Sequence, residues 1–269
     1  MKTVILAGAY DPEMNAMERI LKKKRATVIH ASIGGVRVNP GQAYRADPVH
    51  GLEAGDTLVR IECEPVEVRQ GVKVIVIDHH RPGDPGYDLG PEKFWEASSI
   101  GQLHQFLNIQ PTSWMRAIAA MDHCFSAAIR NECPGVLGGE VLLMAVAEIV
   151  AHKKSGHTRA IQQIQRFLEF MKDAPNIVIG PQVVKDLRAY YLGEGYSFDL
   201  LTAQVAAAMG GYVALLRHRD TGSPSDKYTI VGNTHSETAL AFMNDWAPLH
   251  GLVRIYGVPK RGYAGAYIS

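Results

Sequence analysis

Cysteine is scarce in this sequence. Cys63, Cys124 and Cys133 are the only three in 269 residues. An odd, widely spaced set excludes a disulfide framework and the paired ligands of a zinc ribbon. A reducing, cytoplasmic setting is therefore expected. An excess of charge of either sign is also missing. Lys and Arg number 28 against 27 Asp and Glu, for a formal net charge of +1. That balance removes the broad basic surface which long duplex nucleic acid requires. Long apolar runs are absent too. Val136 to Ala151 is broken by Glu140 and Glu148, so no membrane span is expected. The apolar start, Val4 to Ala7, is too short for a signal peptide and gives way to Asp11. With no internal repeat and no low-complexity segment, solenoid and fibrous architectures drop out.

What remains is an ordinary globular balance, 46% apolar and 20% charged residues, in a chain long enough for one large or two moderate domains. The most informative stretch is Val72-Lys73-Val74-Ile75-Val76-Ile77-Asp78-His79-His80. Its β-branched run lacks polar alternation, as a parallel strand covered on both faces should. Arg81-Pro82-Gly83-Asp84-Pro85-Gly86 then stops the strand. Asp78, His79 and His80 are thus expected at the carboxyl end of a central strand, where open α/β sheets place their ligands.

Other strands are expected at Thr3 to Ala7, Thr27 to Ala31 and Thr57 to Ile61. A helix over Met14 to Lys24 presents Met14, Met17, Ile20 and Leu21 on one face. Gly34-Gly35 opens a long irregular stretch to Gly55. Ser98 or Ser99 caps a helix with Ile100, Leu103, Phe106 and Leu107 on its apolar face. A helix over Trp114 to Met121 delivers Asp122-His123-Cys124, and two more run over Glu140 to His152 and Thr158 to Lys172. The turn at Asp173 to Asn176 suggests a division into a catalytic domain, residues 1–173, and a substrate-binding domain, residues 174–269. In the latter, Val183 to Leu192, Leu200 to Ala208 and Ser236 to Trp246 read as helices. Ile177 to Ile179, Gly211 to Arg217, Tyr228 to Val231 and Leu252 to Tyr256 read as strands. The expected fold class is α/β, a mostly parallel sheet flanked by helices with a smaller C-terminal α/β lobe.

Acidic residues cluster where these elements end: Asp11 and Glu13, Glu62 and Glu64, Asp78 with its two histidines, and Asp122. Carboxylates and imidazoles gathered on one sheet edge repel one another unless cations are present. Two metals a few Å apart can activate water and clamp the oxygens of a phosphoryl group, which points to phosphoester hydrolysis. The mixed oxygen and nitrogen set of Asp78, His79 and His80 suits Mn, Zn or Fe rather than Ca or Mg. Manganese, in one or two sites, is the expected metal, with Mg2+ or Zn2+ as the alternatives to it.

The run Val76-Ile77-Asp78-His79-His80, followed by Ala97-Ser98-Ser99-Ile100-Gly101 and then Asp122, resembles the DHH phosphoesterase superfamily. That family includes RecJ-type exonucleases, nanoRNA phosphodiesterases of the NrnA kind and manganese pyrophosphatases. The resemblance covers roughly residues 1 to 125. It implies Asp11, Glu13, Glu62, Asp78, His79 and Asp122 as metal ligands, Glu64 being the reserve for Glu62, with Asp78 and His80 as catalytic residues. The family pattern departs here in two places. Its first motif, His then Asp-x-Asp, survives only as Asp11-Pro12-Glu13, with no histidine among Ala7, Gly8 and Ala9. Its second aspartate is replaced by glutamate. A one-metal site or a changed substrate would follow from such changes. Near the C-terminus, Arg261-Gly262-Tyr263-Ala264-Gly265 is similar to the family's glycine-rich substrate segment. Lys260, Arg261, Gly262 and Tyr263 are the implied substrate contacts, through phosphate for the cations and stacking for Tyr263. Arg217, with His218 and Arg219 after a strand of the small lobe, is a separate candidate for phosphate contact.

The implied activity is metal-dependent hydrolysis of short oligonucleotides or small phosphorylated metabolites, with no membrane partner; a homodimer is left open. The competing reading is a catalytically weakened DHH-fold protein that binds a nucleotide or a protein partner. Plainer readings stand beside several residues. His30 reads as a core histidine, Lys22 to Arg25 as a solvated helix end, and His123 as a polar helix end. Arg217, His218 and Arg219 read equally as surface charge.

Overall fold

The computed structural model describes residues 1–152, 157–194, 197–219 and 225–269. The chain divides into two compact units. One comprises Met1–Leu89 and Lys93–Asp122, the other Gly90–Glu92 and His123–Ser269. The turn at residues 173–176 lies inside the second unit.

The first unit carries a four-stranded, wholly parallel sheet. Its strands are β1 (Thr3–Ala7), β2 (Val28–His30), β5 (Thr57–Ile61) and β6 (Lys73–Ile77), in the order β2-β1-β5-β6. Between β2 and β5, the stretch expected to be irregular contains a two-stranded hairpin, β3 (Ser32–Ile33) and β4 (Val36–Arg37), and a short turn of helix at Ala43–Arg45. Helix α1 (Pro12–Lys23) starts at Asp11, whose Oδ1 accepts a 2.6 Å hydrogen bond from Met14 N, with Pro12 in its first turn. Met14, Met17, Ile20 and Leu21 are buried as their spacing requires, and Lys22 to Arg25 are exposed. Helix α2 (Phe94–Ala97) is followed by α3 (Ser99–Leu107), capped by Ser98 Oγ accepting from Gly101 N at 3.2 Å. Ile100 and Leu103 of α3 are buried, whereas Phe106 faces solvent.

His30 is not a core residue. It lies on the edge strand β2, its side chain is 47% exposed, and Nε2 sits 3.2 Å from Glu18 Oε1. The central strand β5 buries Leu58, Val59 and Ile61 almost completely. This parallel order brings the carboxyl ends of β1, β5 and β6 to a common edge. Helix α4 (Ser113–Ile129) ends its first unit portion at Asp122 and departs from helical dihedrals at Cys124 (φ −152°, ψ 49°).

The second unit contains α5 (Gly138–His152), α6 (His157–Asp173) and a six-stranded mixed sheet. Its strands are β7 (Asn176–Ile179), β8 (Gln182–Glu194), β9 (Val213–Arg219), β10 (Lys227–Gly232), β11 (Val253–Val258) and β12 (Tyr263–Tyr267), ordered β11-β12-β10-β9-β8-β7. Helix α7 (Ser197–Met209) precedes β9, and α8 (Ser236–Ala241) runs into a π-helical turn at Phe242–Trp246. Cys124 Sγ and Cys133 Sγ lie 2.9 Å apart as buried thiols.

Two further expectations fail here. The strand leading to Asp78 is neither central nor covered on both faces: β6 stands at the edge of the parallel sheet, with Val74 40% exposed and Ile75 and Val76 only half-buried. Val183 to Leu192 is strand β8, not a helix. Val184 and Leu187, three residues apart and both fully buried, mimic a helical stripe. Strand side chains alternate, so these two lie on opposite faces of the sheet. Val184 joins a cluster with Val213, Leu215, Ile230 and Phe242. The register shift between Leu187 and Tyr191 further hides the two-residue period.

Candidate metal centre

Three strands of the parallel sheet, β1, β5 and β6, bring acidic or imidazole groups to the common edge. After β1, Asp11 caps α1 and Glu13 occupies its first turn. Glu13 is fully buried, and its Oε1 accepts a 3.1 Å hydrogen bond from Ile100 N at the start of α3. After β5, Glu62 takes a left-handed conformation at φ 51°, uncommon for a residue with a Cβ. This turn is packed against Gly8, where an added Cβ would meet Glu62 O at 2.4 Å. Only glycine fits beside it. After β6 come Asp78 and His79, 1% and 3% exposed, and the half-exposed His80.

Glu13, Glu62, His79 and Asp122 place four ligand atoms within 4.8 Å of one another, and Glu62, His79 and His80 form an overlapping group. His79 Nε2 lies 3.1 Å from Asp122 Oδ2 and 3.8 Å from Glu62 Oε1. Glu13 Oε2 and Glu62 Oε1 are buried and receive no hydrogen bond. Two buried carboxylate oxygens without donors are costly unless a cation or a proton compensates them. Burial, reinforced by the Asp122 and Glu62 charges, holds the Glu13 carboxyl well above its ordinary range. Burial, with Glu62 and Asp122, does the same to Asp11. Three carboxylates and one imidazole at these positions fit a divalent cation of the Mn2+, Mg2+ or Zn2+ type.

Asp78 is engaged differently. Its Oδ1 accepts from His79 N at 2.7 Å and His80 N at 3.1 Å, and His80 Nδ1 lies 2.9 Å away. Tyr44 Oη stands 3.1 and 3.0 Å from the two carboxylate oxygens. Burial pushes the Asp78 carboxyl upward, but His80 and these donors outweigh it and hold it below the usual range. Partial desolvation opposes charge on the half-exposed His80, yet the hydrogen bond to Asp78 and the Glu62, Asp78 and Asp122 charges lift it to about 10. The phenol of Tyr44, raised by burial and by Asp78, keeps its proton. Arg81 lies 3.7 Å over the Tyr44 ring and binds Glu64 at 2.8 Å. Glu64 also pairs with Arg60, so the reserve ligand is committed elsewhere.

Two residues that fix the centre carry no signal in the sequence. Gln102, on α3, receives Asp78 N at Oε1 (3.1 Å) and donates from Nε2 to Asp78 O (2.9 Å) and Ala97 O (2.7 Å). Tyr44, from the short turn after β4, is the other. Gly86 lets its loop lie against His79, since a Cβ there would meet His79 Cβ at 2.7 Å. His123, the residue after Asp122, is buried.

The expected substrate contacts belong to the second unit. Arg217, on β9, donates to Asp226 Oδ2 at 2.9 and 2.6 Å, and Arg219 donates to Oδ1 at 2.6 Å. Lys260 is exposed and Arg261 buried in the turn Pro259–Arg261. Gly262 sits at φ 70°, where a Cβ would meet Thr234 O at 2.2 Å. Tyr263, 39% exposed, has its ring 5.9 Å from that of Tyr256.

No family model and no curated protein matches the sequence. Among solved structures, the chain is similar to RecJ from Thermus thermophilus, determined in complex with Mg2+, at 15% identity and a TM-score of 0.43. All of this chain is covered but 47% of that one, so the chain spans about half the length of RecJ. It is also similar to the pGpG-specific phosphodiesterase PggH from Vibrio cholerae, at 11% identity and a TM-score of 0.44, covering all of this chain and 94% of that one.

Proposed function

We propose that this protein is a metal-dependent phosphoesterase acting on short oligonucleotides or small phosphorylated metabolites. The observation that carries this reading is the buried set Glu13, Glu62, His79 and Asp122, two of whose carboxylate oxygens lack a donor. The Asp-His-His motif at the end of a parallel strand, which resembles the DHH phosphoesterases, supplies the reaction class. A divalent cation bound by these four side chains would supply positive charge to phosphoryl oxygens and lower the pKa of a water. His80 is held through Nδ1 by Asp78, which leaves Nε2 to donate a proton or hydrogen bond to a substrate oxygen. The near-neutral net charge favours short substrates over long duplexes. Arg217, Lys260, Arg261, Gly262 and Tyr263 are the substrate contacts this reading assigns to the second unit.

The test is hydrolysis of di- and trinucleotides, and of a chromogenic phosphodiester, by the chelator-stripped full chain with and without Mn2+. Turnover that requires metal and is lost in His79→Ala is the expected result. Absence of turnover on every substrate overturns the reading. A binding module remains the second reading, favoured by the altered Asp11-Pro12-Glu13 motif. Nucleotide binding with a metal-independent Kd and no hydrolysis would establish it instead.

A further inference from the structure

We infer that Cys124 and Cys133 form a modification site, a thiol pair that a low-molecular-weight disulfide converts reversibly into an intramolecular disulfide. This is independent of the metal centre and of the reaction proposed for it.

Both residues belong to the second unit, nine positions apart in the chain. Helix α4 leaves helical dihedrals at Cys124 and continues to Ile129. The chain then reverses. Asn131 takes a left-handed conformation at φ 63°, and the amides of Asn131 and Glu132 bond back to Ala128 O and Ala127 O at 2.9 and 3.1 Å. Asn131 Oδ1 accepts from Gly138 N at 2.8 Å, and Gly138 lies so close to α4 that a Cβ would meet Ile129 O at 2.3 Å. This tight turn brings Cys133 against Cys124, 1% and 2% exposed, with their sulfurs 2.9 Å apart. A disulfide bond is about 2.0 Å long, so a small rotation of the two side chains closes it. The third cysteine is placed otherwise. Cys63 lies in the first unit, and its thiol donates to Leu6 O at 3.5 Å.

Cys133 is the point of entry. It sits in the turn, and Glu132, Pro134 and Gly135 around it are exposed. Opening such a turn costs far less than unfolding a helix, and it uncovers the sulfur. The Cys133 sulfur attacks the small disulfide, and the first thiol leaves with the Cys133 proton. The Cys124 sulfur then attacks the Cys133 sulfur of the mixed disulfide, and the second thiol leaves with the Cys124 proton. The protein thiols lose two electrons and two protons, and the small disulfide gains both. The product ties the end of α4 to its turn and restricts the unfolded chain. In a reducing compartment such a pair responds to a change of redox poise.

The experiment uses oxidised glutathione as the probe. The full chain is equilibrated with it, quenched in acid, unfolded and alkylated, and its mass is recorded before and after tryptic digestion. Two fewer alkylated thiols are expected, with the peptides on either side of Arg130 joined through Cys124 and Cys133, and Cys63 alkylated. Reduced glutathione should reverse the cross-link. The oxidised chain should melt about 5 °C or more above the reduced one. Cys124→Ala should stop at one glutathione on Cys133. A wild-type chain that keeps all three thiols, stops at the mixed disulfide or pairs through Cys63 overturns the inference, and those readings need no variant to fold. So does a cross-linked chain that melts below the reduced one, because a pair that must distort the fold is not pre-positioned.

Discussion

At the scale of single residues, the centre is built from carboxylates that do not tolerate one another alone. Glu13 carries most of that tension: it is fully buried, one oxygen holds Ile100 N, and the other has no donor. Glu13→Gln keeps an oxygen for Ile100 N while removing the charge. In chelator, the variant should therefore melt above the wild type, by roughly 2–4 °C for each kcal/mol relieved. Its stabilisation by Mn2+ should vanish. The pH dependence has a definite sign. Folding raises the Glu13 and Asp11 carboxyls above their unfolded values, so the folded chain binds more protons. That contribution is present below the ordinary carboxylate range and is lost as pH rises toward the raised values. The advantage of Glu13→Gln in chelator should widen as pH rises from the ordinary carboxylate range toward the raised values. Thermal melts across that range check it; a variant less stable than wild type at every pH contradicts it.

At the scale of elements, β6 and α3 depend on one side chain. Gln102 makes three hydrogen bonds to the peptide groups of Asp78 and Ala97, and so fixes the direction in which His79 leaves the strand. Gln102→Leu would strand the Asp78 amide and the Ala97 carbonyl in the interior. Buried orphans cost about 1–3 kcal/mol each, so a loss of about 2–5 kcal/mol is expected. Urea denaturation should show a lower midpoint at unchanged slope, together with weaker Mn2+ binding. An unchanged midpoint would show that other contacts hold the junction. The same junction marks the limit of what the sequence discloses. The β-branched run from Val74 to Ile77, with its glycine and proline stop, identifies the strand end bearing Asp78 and His79. Apolar spacing identifies α1, and spacing with a serine cap identifies α3, because these signals are local. Tyr44 and Gln102 reach Asp78 across 34 and 24 residues of chain, and no spacing rule connects such distances. Strand β8 escapes a sequence reading for a related reason. Val184 and Leu187 are buried on opposite faces while Val183, on the face of Leu187, is exposed, so no clean alternation marks the strand.

At the scale of the whole molecule, the two units carry different chemistry. The five convergent groups, Glu13, Glu62, His79, His80 and Asp122, all lie in the first, and no such grouping is found among the described residues of the second. Binding energy from a cation should consequently be localised. An ion bound only to the folded state stabilises it by about 2.7 kcal/mol at a hundredfold excess over Kd. That stabilisation acts on every opening that separates β1, β5, β6 and the last turn of α4 before Cys124. Openings confined to the mixed sheet, β7 to β12, leave the four ligands together and gain nothing. Hydrogen exchange read by mass spectrometry, with and without Mn2+, should show slowing in peptides covering Leu6 to Glu13, Ile61 to Cys63, Ile77 to His80 and the start of α3. Peptides from β9, β10 and β12 should exchange at the same rate in both conditions. Equal slowing in both units would mean that the cation is bound through groups of the second unit as well. The four-residue centre would then be incomplete.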